Sequence, residues 1–181
     1  MTREPETFRT LYCDPGEDFG WCIGRDTKLL ARGTTKMWEM ADDIWDALNN
    51  PYNGENKLNS VEVCREGVDP SENQGPIERV VCEDFRIYPW KAKELAWDRV
   101  RTARVIGAIT FMCREKGIPL VLQPAAIKEA AVAAGAEELF DRPLHENRHQ
   151  NDAAMHFVFF TNVELLEVPL PVPAVNKEEA V

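Results

Sequence analysis

The order of strand-like and helix-like segments restricts the fold of this chain more than any other feature of its sequence. Three short apolar runs, at 10–14, 19–24 and 28–34, follow one another with only turn residues between them, which predicts an antiparallel meander. Later strand segments, at 78–85 and 120–122, alternate with helical segments, which indicates parallel strands covered by helices. We therefore predict an α/β fold: a mixed five-stranded sheet, made of the three-stranded meander plus parallel strands, flanked by helices.

Four segments carry helical patterns. Apolar residues at three- and four-residue spacing predict an amphipathic helix over 37–48. A second helix is predicted over 93–116, where Gly117 ends it. Two more are predicted over 124–134, which a proline opens, and over 147–162.

A chain of 181 residues suits one domain and is short for two with separate cores. We divide it into an N-terminal extension (1–9), one domain (10–163) and a Pro-rich flexible tail (164–181). Within the domain, residues 49–77 are rich in Asn, Gly, Pro and Glu and show little periodicity. They predict a long surface loop or insertion, with a possible short strand at 60–64.

Charge and hydropathy exclude several classes of protein. The net charge of -10 argues against nucleic-acid binding driven by overall charge, so any such contact must come from a local patch. The longest nearly apolar run, 105–113, is about half as long as a membrane-spanning helix requires. The charged residues 1–6 are not followed by an apolar signal region. We expect no membrane association and a cytoplasmic location.

The five cysteines are odd in number and widely spaced, and no Cys-x-x-Cys pair occurs. Structural zinc and a redox dithiol both require such spacing. We therefore predict reduced cysteines, mostly within the core.

Three acidic residues stand where predicted elements end or converge. Asp14 follows the first strand, Glu83 follows the fourth, and Asp152 lies on the last helix. Converging carboxylates repel one another unless a cation lies between them, and oxygen ligands suit Mg²⁺ or Mn²⁺. Acids also cap elements for structural reasons alone, so this alternative stays open for each acid taken singly.

The last helix carries a further candidate. His149 precedes Asp152 by three residues, so both side chains share one helical face and form a possible metal-binding or proton-transfer pair. His156 follows one turn later and His145 precedes the helix. A solvated polar face is therefore the alternative interpretation.

A local basic segment offsets the acidic total. Residues 86–116 contain eight basic and three acidic side chains. Basic and aromatic residues together can hold phosphates and stack on unpaired bases. The candidates are Arg86, Tyr88, Trp90, Lys91, Lys93, Arg101 and Arg104. A solvated helix face with buried aromatics is the alternative, and we prefer it for Trp97.

The helix predicted over 93–116 carries apolar residues on every side beyond Arg104. We expect this half to be covered on more than its sheet face. Either a second copy of the chain or the two helices that follow could provide the cover.

Taken together, these segments resemble the RuvC-type Holliday junction resolvases of the ribonuclease H-like superfamily, most closely the compact versions found in bacteriophages. Five blocks in the family's order carry the resemblance. They are Leu-Tyr-Cys-Asp-Pro-Gly at 11–16 with Gly20-Trp21, Val-Val-Cys-Glu-Asp-Phe at 80–85, Arg-Val-Ile-Gly-Ala-Ile at 104–109, Gln123-Pro124 with Lys128, and His-Gln-Asn-Asp-Ala-Ala-Met-His at 149–156.

The resemblance implies a ribonuclease H-like fold and a metal-dependent endonuclease. Such an enzyme would resolve branched DNA by paired symmetric cuts, as a homodimer, in a bacterial or phage-infected cell. The implied catalytic and metal-binding residues are Asp14, Glu83, His149 and Asp152, with two Mg²⁺ ions per site and Mn²⁺ as a substitute. Lys128 joins the candidate DNA-binding residues.

Other functions stay open. A nuclease of the same fold could act on a flap, a replication fork or an RNA–DNA hybrid, and a non-catalytic DNA-binding module could keep the fold. An ATP-binding domain of the actin and sugar-kinase type also begins its phosphate loop with Asp-x-Gly. We do not expect one here, because those proteins need a second, similar domain.

Overall fold

The computed structural model describes residues 8–16, 18–50, 56–59, 64–85, 97–139 and 148–162. Strands β1 to β5 span Arg9–Asp14, Asp18–Arg25, Lys28–Lys36, Arg79–Asp84 and Leu120–Pro124. Helices α1 to α4 span Met37–Asn49, Trp97–Lys116, Lys128–Ala133 and Arg148–Asn162. The predicted tail and the predicted starts of α2 and α4 lie outside the described residues.

The five strands form one mixed sheet in the order β3-β2-β1-β4-β5. β1, β2 and β3 pair antiparallel, while β4 pairs parallel with both β1 and β5. This arrangement confirms the predicted α/β fold class, with its antiparallel meander, its parallel strands and its flanking helices.

Alternation along the strands divides the core into two layers. Leu11 and Cys13 of β1 belong to a buried cluster that includes residues of α1 and α2. Tyr12, between them, belongs to a second cluster that includes residues of α3 and α4. Because successive side chains of a strand point to opposite faces, the sheet lies between two layers of helices.

The middle of α2 is less widely covered than its sequence predicts. Its buried residues recur along one face, which the first core cluster accounts for: Val105, Ile106, Ile109, Met112 and Cys113. Gly107 is exposed, and the side chain of Phe111 is 59% exposed. Of the two predicted covers, the following helices α3 and α4 do not provide it, because their buried residues belong to the other core cluster. Cover by a second copy of the chain stays a prediction, and Phe111 is the large apolar side chain left open for it.

The described parts of the predicted 49–77 loop are packed onto the sheet. Leu58 is fully buried, and the guanidinium of the fully buried Arg9 donates to the carbonyl oxygens of Gly75 (2.7 Å) and Leu58 (3.1 Å) and to Oδ1 of Asn73 (3.1 Å). Arg9, which we assigned to the N-terminal extension, is the first residue of β1. Of the possible strand at 60–64, the structure describes Cys64, which forms an isolated antiparallel bridge with Ala31.

Two predicted breaks have clear backbone causes. Gly117 adopts a φ of 65°, a left-handed conformation that favours glycine and ends α2. We predicted that Pro124 opens an α-helix. Instead, it precedes a 3₁₀ turn over Ala125–Ile127, which leads into α3.

All five cysteines are free, and all but Cys64 are buried. This agrees with the prediction of reduced cysteines mostly within the core. Burial raises the pKa of the Cys113 thiol to about 11, so it stays protonated at neutral pH. In the described part of the chain, no helix combines the length and apolar character needed to cross a membrane.

Candidate active site

Three parallel strands bring polar side chains to one edge of the sheet. Asp14 and Glu83 lie at the carboxyl ends of β1 and β4, and Gln123 lies next to Glu83 in register on β5. Residues two apart on a strand point to the same face, so Asp14 shares a face with Tyr12, and Glu83 shares a face with Val81. Tyr12 and Val81 pack in the second core cluster, so both acids face the helix layer that contains α4.

A glycine lets α4 approach this edge. A Cβ atom added to Gly20 of β2 would lie 2.0 Å from the carbonyl oxygen of His149. The absent side chain allows the first turn of α4 to cross β2 at backbone contact. As a result, His149 and Asp152 reach the end of β1, where Asp14 lies.

His149 contacts Asp14 directly. Its Nδ1 lies 3.0 Å from Oδ2 of Asp14. Burial raises the pKa of Asp14, and the nearby charges of Glu83 and Asp152 add to this effect. The hydrogen bond to Asp14 in turn raises the pKa of His149. Of the predicted pair, His149 thus contacts Asp14, while Asp152 is close enough for its charge to act on Asp14.

Lys128, at the start of α3, places its ammonium group among the acids. Its Nζ lies 2.8 Å from Oδ2 of Asp152 and 3.3 Å from Oε2 of Glu83. Burial lowers the pKa of Lys128, but these acids and Asp14 outweigh burial and raise it. We predicted Lys128 as a DNA-binding residue, and the structure places it between two predicted metal ligands.

Glu83 also contacts the imidazole of His156. Nε2 of His156 lies 3.1 Å from Oε2 of Glu83, and Nδ1 lies 2.7 Å from Oε1 of Gln123. Burial acts to raise the pKa of Glu83, but the hydrogen bond to His156 and the charge of Lys128 outweigh burial and hold that pKa at about 2. Glu83 is therefore ionised at neutral pH.

Sequence reasoning missed the roles of Gln123 and His156. His156 is fully buried, so the solvated-face interpretation is wrong for this residue. Its position four residues after Asp152 on a helix was the one available signal, because residues at this spacing share a face. The sequence could not show that Glu83 and Gln123 would face it from two strands.

The side chains able to hold a divalent cation here are Asp14, Glu83, Asp152 and His149, which provide carboxylate oxygens and an imidazole nitrogen. The chemistry of this donor set fits such an ion, since the cluster already holds one positive charge, the ammonium of Lys128. As they stand, no three acidic, histidine or cysteine side chains of the described residues are arranged to hold a metal ion. A cation that binds Oε2 of Glu83 and Oδ2 of Asp152 would take the place that the Lys128 ammonium now holds.

Two of the predicted DNA-binding residues are described on α2. Arg101 and Arg104 are exposed and lie in the first two turns of that helix. Because α2 runs from the end of β4 back to the start of β5, these turns lie toward the same edge as Asp14. Apart from Lys128, the remaining predicted DNA-binding residues are not among the described residues: Arg86, Tyr88, Trp90, Lys91 and Lys93.

Fold and site together define an α/β domain in which strand-end carboxylates, a lysine and helix-borne histidines meet at one edge of a mixed sheet. No protein-family model and no curated protein matches the sequence. Two solved structures of Thermus thermophilus RuvC are similar to the chain. The one in complex with a Holliday junction substrate is 14% identical over 84% of this chain and 94% of that chain, with a TM-score of 0.49. The other is 17% identical over 83% and 93%, with a TM-score of 0.43.

Proposed function

We propose that the chain is a divalent-metal-dependent endonuclease that resolves four-way DNA junctions by paired symmetric cuts. It would act as a homodimer inside a bacterial or phage-infected cell. The sequence blocks at 11–16, 80–85 and 149–156 support this proposal through the family they resemble. The alternatives are a different nucleic-acid substrate and a DNA-binding module without activity.

The convergence of Asp14, Glu83 and Asp152 is the observation that carries the proposal. Asp14 and Asp152 are each only 7% exposed. Asp152 lies 2.8 Å from the Lys128 ammonium, and the charges of Glu83 and Asp152 add to the burial that raises the pKa of Asp14. Burying several carboxylates together is unfavourable unless positive charge compensates them. A group of partly buried carboxylates compensated by one lysine is therefore suited to binding cations.

In the proposed site, Asp14, Glu83 and Asp152 provide the carboxylate ligands, and His149, which contacts Asp14, adds a nitrogen. Bound Mg²⁺ or Mn²⁺ ions, two per site, would activate a water molecule and stabilise the leaving oxygen of the phosphodiester. His149 in its neutral form can bind a cation or accept a proton through the ring nitrogen that carries no hydrogen, while the other nitrogen donates to Asp14.

Lys128 has two compatible tasks in this proposal. Without a metal ion, its single positive charge offsets part of the negative charge of Glu83 and Asp152. Once released from these acids, the same flexible side chain can contact a phosphate of the DNA. In this proposal, Lys128 pairs with the acids when no metal ion is bound and contacts DNA when one is.

The DNA would lie along the edge between Asp14 and the start of α2. Arg101 and Arg104 are exposed there and can neutralise phosphates. The basic and aromatic residues predicted to bind DNA at 86–93 follow Glu83 directly in sequence. Aromatic side chains stack on bases regardless of sequence, which suits a substrate recognised by its branch.

A homodimer is proposed because two symmetric cuts require two active sites. The exposed aromatic side chains Trp38 and Trp45 on α1 and Phe111 on α2 provide apolar surface for a second copy. Analytical ultracentrifugation is expected to give twice the chain mass of 20.6 kDa. A purely monomeric species at all concentrations would refute the dimer.

A substrate panel tests the proposed activity. A synthetic four-way junction, a flap, a replication fork, an RNA–DNA hybrid and a linear duplex of matched sequence are incubated with Mg²⁺, with Mn²⁺ and with chelator. We expect symmetric cuts in the junction, little cutting of the duplex, and none with chelator. Preferential cutting of another substrate would reassign the specificity, and junction binding without any cutting would favour the non-catalytic module.

A further inference from the structure

His156 is a polar side chain inside an otherwise apolar layer. It is 0% exposed, and its neighbours on α4, Ala153, Met155 and Phe157, belong to the second core cluster. Buried polar groups are unfavourable unless hydrogen bonds satisfy them. Both ring nitrogens of His156 meet this condition, and both do so at the edge where the acids converge.

The two partners of His156 come from adjacent strands. Glu83 of β4 and Gln123 of β5 are neighbours in the parallel register, and Gln123 is also 0% exposed. The imidazole therefore bridges the ends of two strands from the helix above them. Because the ionised Glu83 only accepts hydrogen bonds, Nε2 of His156 carries the hydrogen in that contact. The neutral ring then accepts at Nδ1, and the Gln123 amide satisfies this nitrogen when its NH₂ end, rather than Oε1, faces it.

The same oxygen of Glu83 has two positively polarised neighbours. Oε2 lies 3.1 Å from Nε2 of His156 and 3.3 Å from Nζ of Lys128. Lys128 is 30% exposed and flexible, whereas His156 is fixed by burial and by Gln123. When Lys128 leaves the cluster, His156 is the neighbour that continues to hold the carboxylate.

From this geometry we infer that Gln123 and His156 form a positioning relay that fixes the Glu83 carboxylate for binding a divalent cation. The inference rests on the proposed function, since it concerns a ligand of the same site. A carboxylate fixed in advance loses less side-chain freedom when it binds, so the relay strengthens cation binding. Partners of metal ligands commonly contribute about 10- to 100-fold to metal affinity.

The first test needs neither DNA nor a metal ion. Protein with ¹⁵N-labelled histidine is compared with its Glu83→Gln and Gln123→Met variants by NMR spectroscopy of the ring nitrogens. We expect both substitutions to shift the His156 resonances, each at the nitrogen it contacts. Unchanged His156 resonances in both variants would refute the relay.

The second test measures cation affinity directly, by calorimetric titration with Mn²⁺ alone. His156→Phe keeps a flat aromatic ring, slightly larger than the imidazole, and removes both nitrogens. Gln123→Met keeps the length of the side chain and removes the amide. Each is expected to weaken Mn²⁺ binding at least about tenfold. Because the relay reaches Glu83 through His156, adding Gln123→Met to His156→Phe should weaken Mn²⁺ binding little further.

Thr161→Val serves as the matched control. Thr161 is a nearly buried polar residue of the same helix, and its hydroxyl bonds only to the carbonyl oxygens of Phe157 and Val158 among its described contacts. This variant should bind Mn²⁺ like the wild type. If His156→Phe does not fold, Gln123→Met and the NMR comparison carry the test.

Kinetics then separate the relay from the proposed function. On the junction substrate, Gln123→Met should lower kcat with little change in KM for DNA. Wild-type Mn²⁺ affinity in both folded variants would refute the relay while leaving the nuclease proposal intact. Intact relay contacts and Mn²⁺ binding in a protein that cuts no nucleic acid would refute the nuclease proposal and leave the relay in place.

Discussion

At the scale of single residues, the site depends on how positive charge is distributed among three acids. Asp14 is paired with His149, and Lys128 is shared by Glu83 and Asp152. Since these contacts are partly shielded from water, removing one partner leaves a charge that solvent does not fully compensate.

Replacing Lys128 with Met tests this compensation. The variant should unfold more easily in the absence of metal, by roughly 1 to 3 kcal/mol, because Glu83 and Asp152 lose their shared partner. It should also gain more stability from Mn²⁺ than the wild type does, since no ammonium competes with the ion. Thermal unfolding with and without Mn²⁺ measures both effects.

Lys57→Met is the control for that experiment. Lys57 pairs with Glu39 at the surface, where both side chains are more than half exposed, so its loss should have little effect. Equal behaviour of the two variants would contradict the role assigned to Lys128.

His149 is tested by a pair of substitutions. If it binds a cation or accepts a proton, His149→Ala should lose most of the activity, and His149→Asp should recover part of it because a carboxylate can do both. Junction cleavage rates in Mg²⁺ and Mn²⁺ measure the effect. Wild-type rates for the Ala variant in both metals would leave a site of three carboxylates.

At the scale of elements, much of the site was predictable and part of it was not. The acids could be found because parallel strands end at a common edge, and Asp14 and Glu83 each follow a recognisable strand. The positions of His156 and Lys128 could not be found, because helical spacing does not reveal which strand a helix face meets. The prediction for α2 left two covers open, because a list of apolar residues does not show whether a following helix or a second copy of the chain lies against them.

The approach of α4 to β2 gives a prediction at this scale. A Cβ at Gly20 would meet backbone atoms of His149 and Gln150 at 2.0 to 2.8 Å, and backbone cannot turn aside as a flexible side chain can. Gly20→Ala should therefore destabilise the fold by roughly 3 kcal/mol and weaken Mn²⁺ binding, since α4 must shift away from Asp14. Urea unfolding and Mn²⁺ titration provide the measurements.

The matched control is Gly107→Ala on α2. A Cβ there meets nothing within 4 Å, so the substitution should stabilise the protein by about 0.5 to 1 kcal/mol through helix propensity. Similar stability changes in the two variants would show that the close contact at Gly20 does not matter.

At the scale of the whole molecule, function depends on a local basic surface in a protein with a net charge of -10. Arg101 and Arg104 lie near the active edge, whereas Arg114 is exposed in the last turn of the same helix, away from it. Phosphate contacts release counterions, so their loss reduces the salt dependence of binding.

The double variant Arg101→Gln, Arg104→Gln should weaken junction binding, and the slope of log affinity against log salt should become shallower by about 2. Fluorescence anisotropy at several salt concentrations measures the slope. Arg114→Gln should leave it unchanged. An unchanged slope in the folded double variant would move the DNA surface elsewhere, with the 49–77 loop the next candidate.

The most direct test of the nuclease proposal compares wild type with Asp14→Asn on a four-way junction. The substitution removes the charge of the central carboxylate and almost no volume. We predict that Asp14→Asn still binds the junction but cuts it about 10³-fold more slowly, equivalent to about 4 kcal/mol of lost transition-state stabilisation. Asp18→Asn, which removes an exposed acid paired with Lys36, should cut like the wild type. Metal-dependent cutting by Asp14→Asn at the wild-type rate would contradict the proposal.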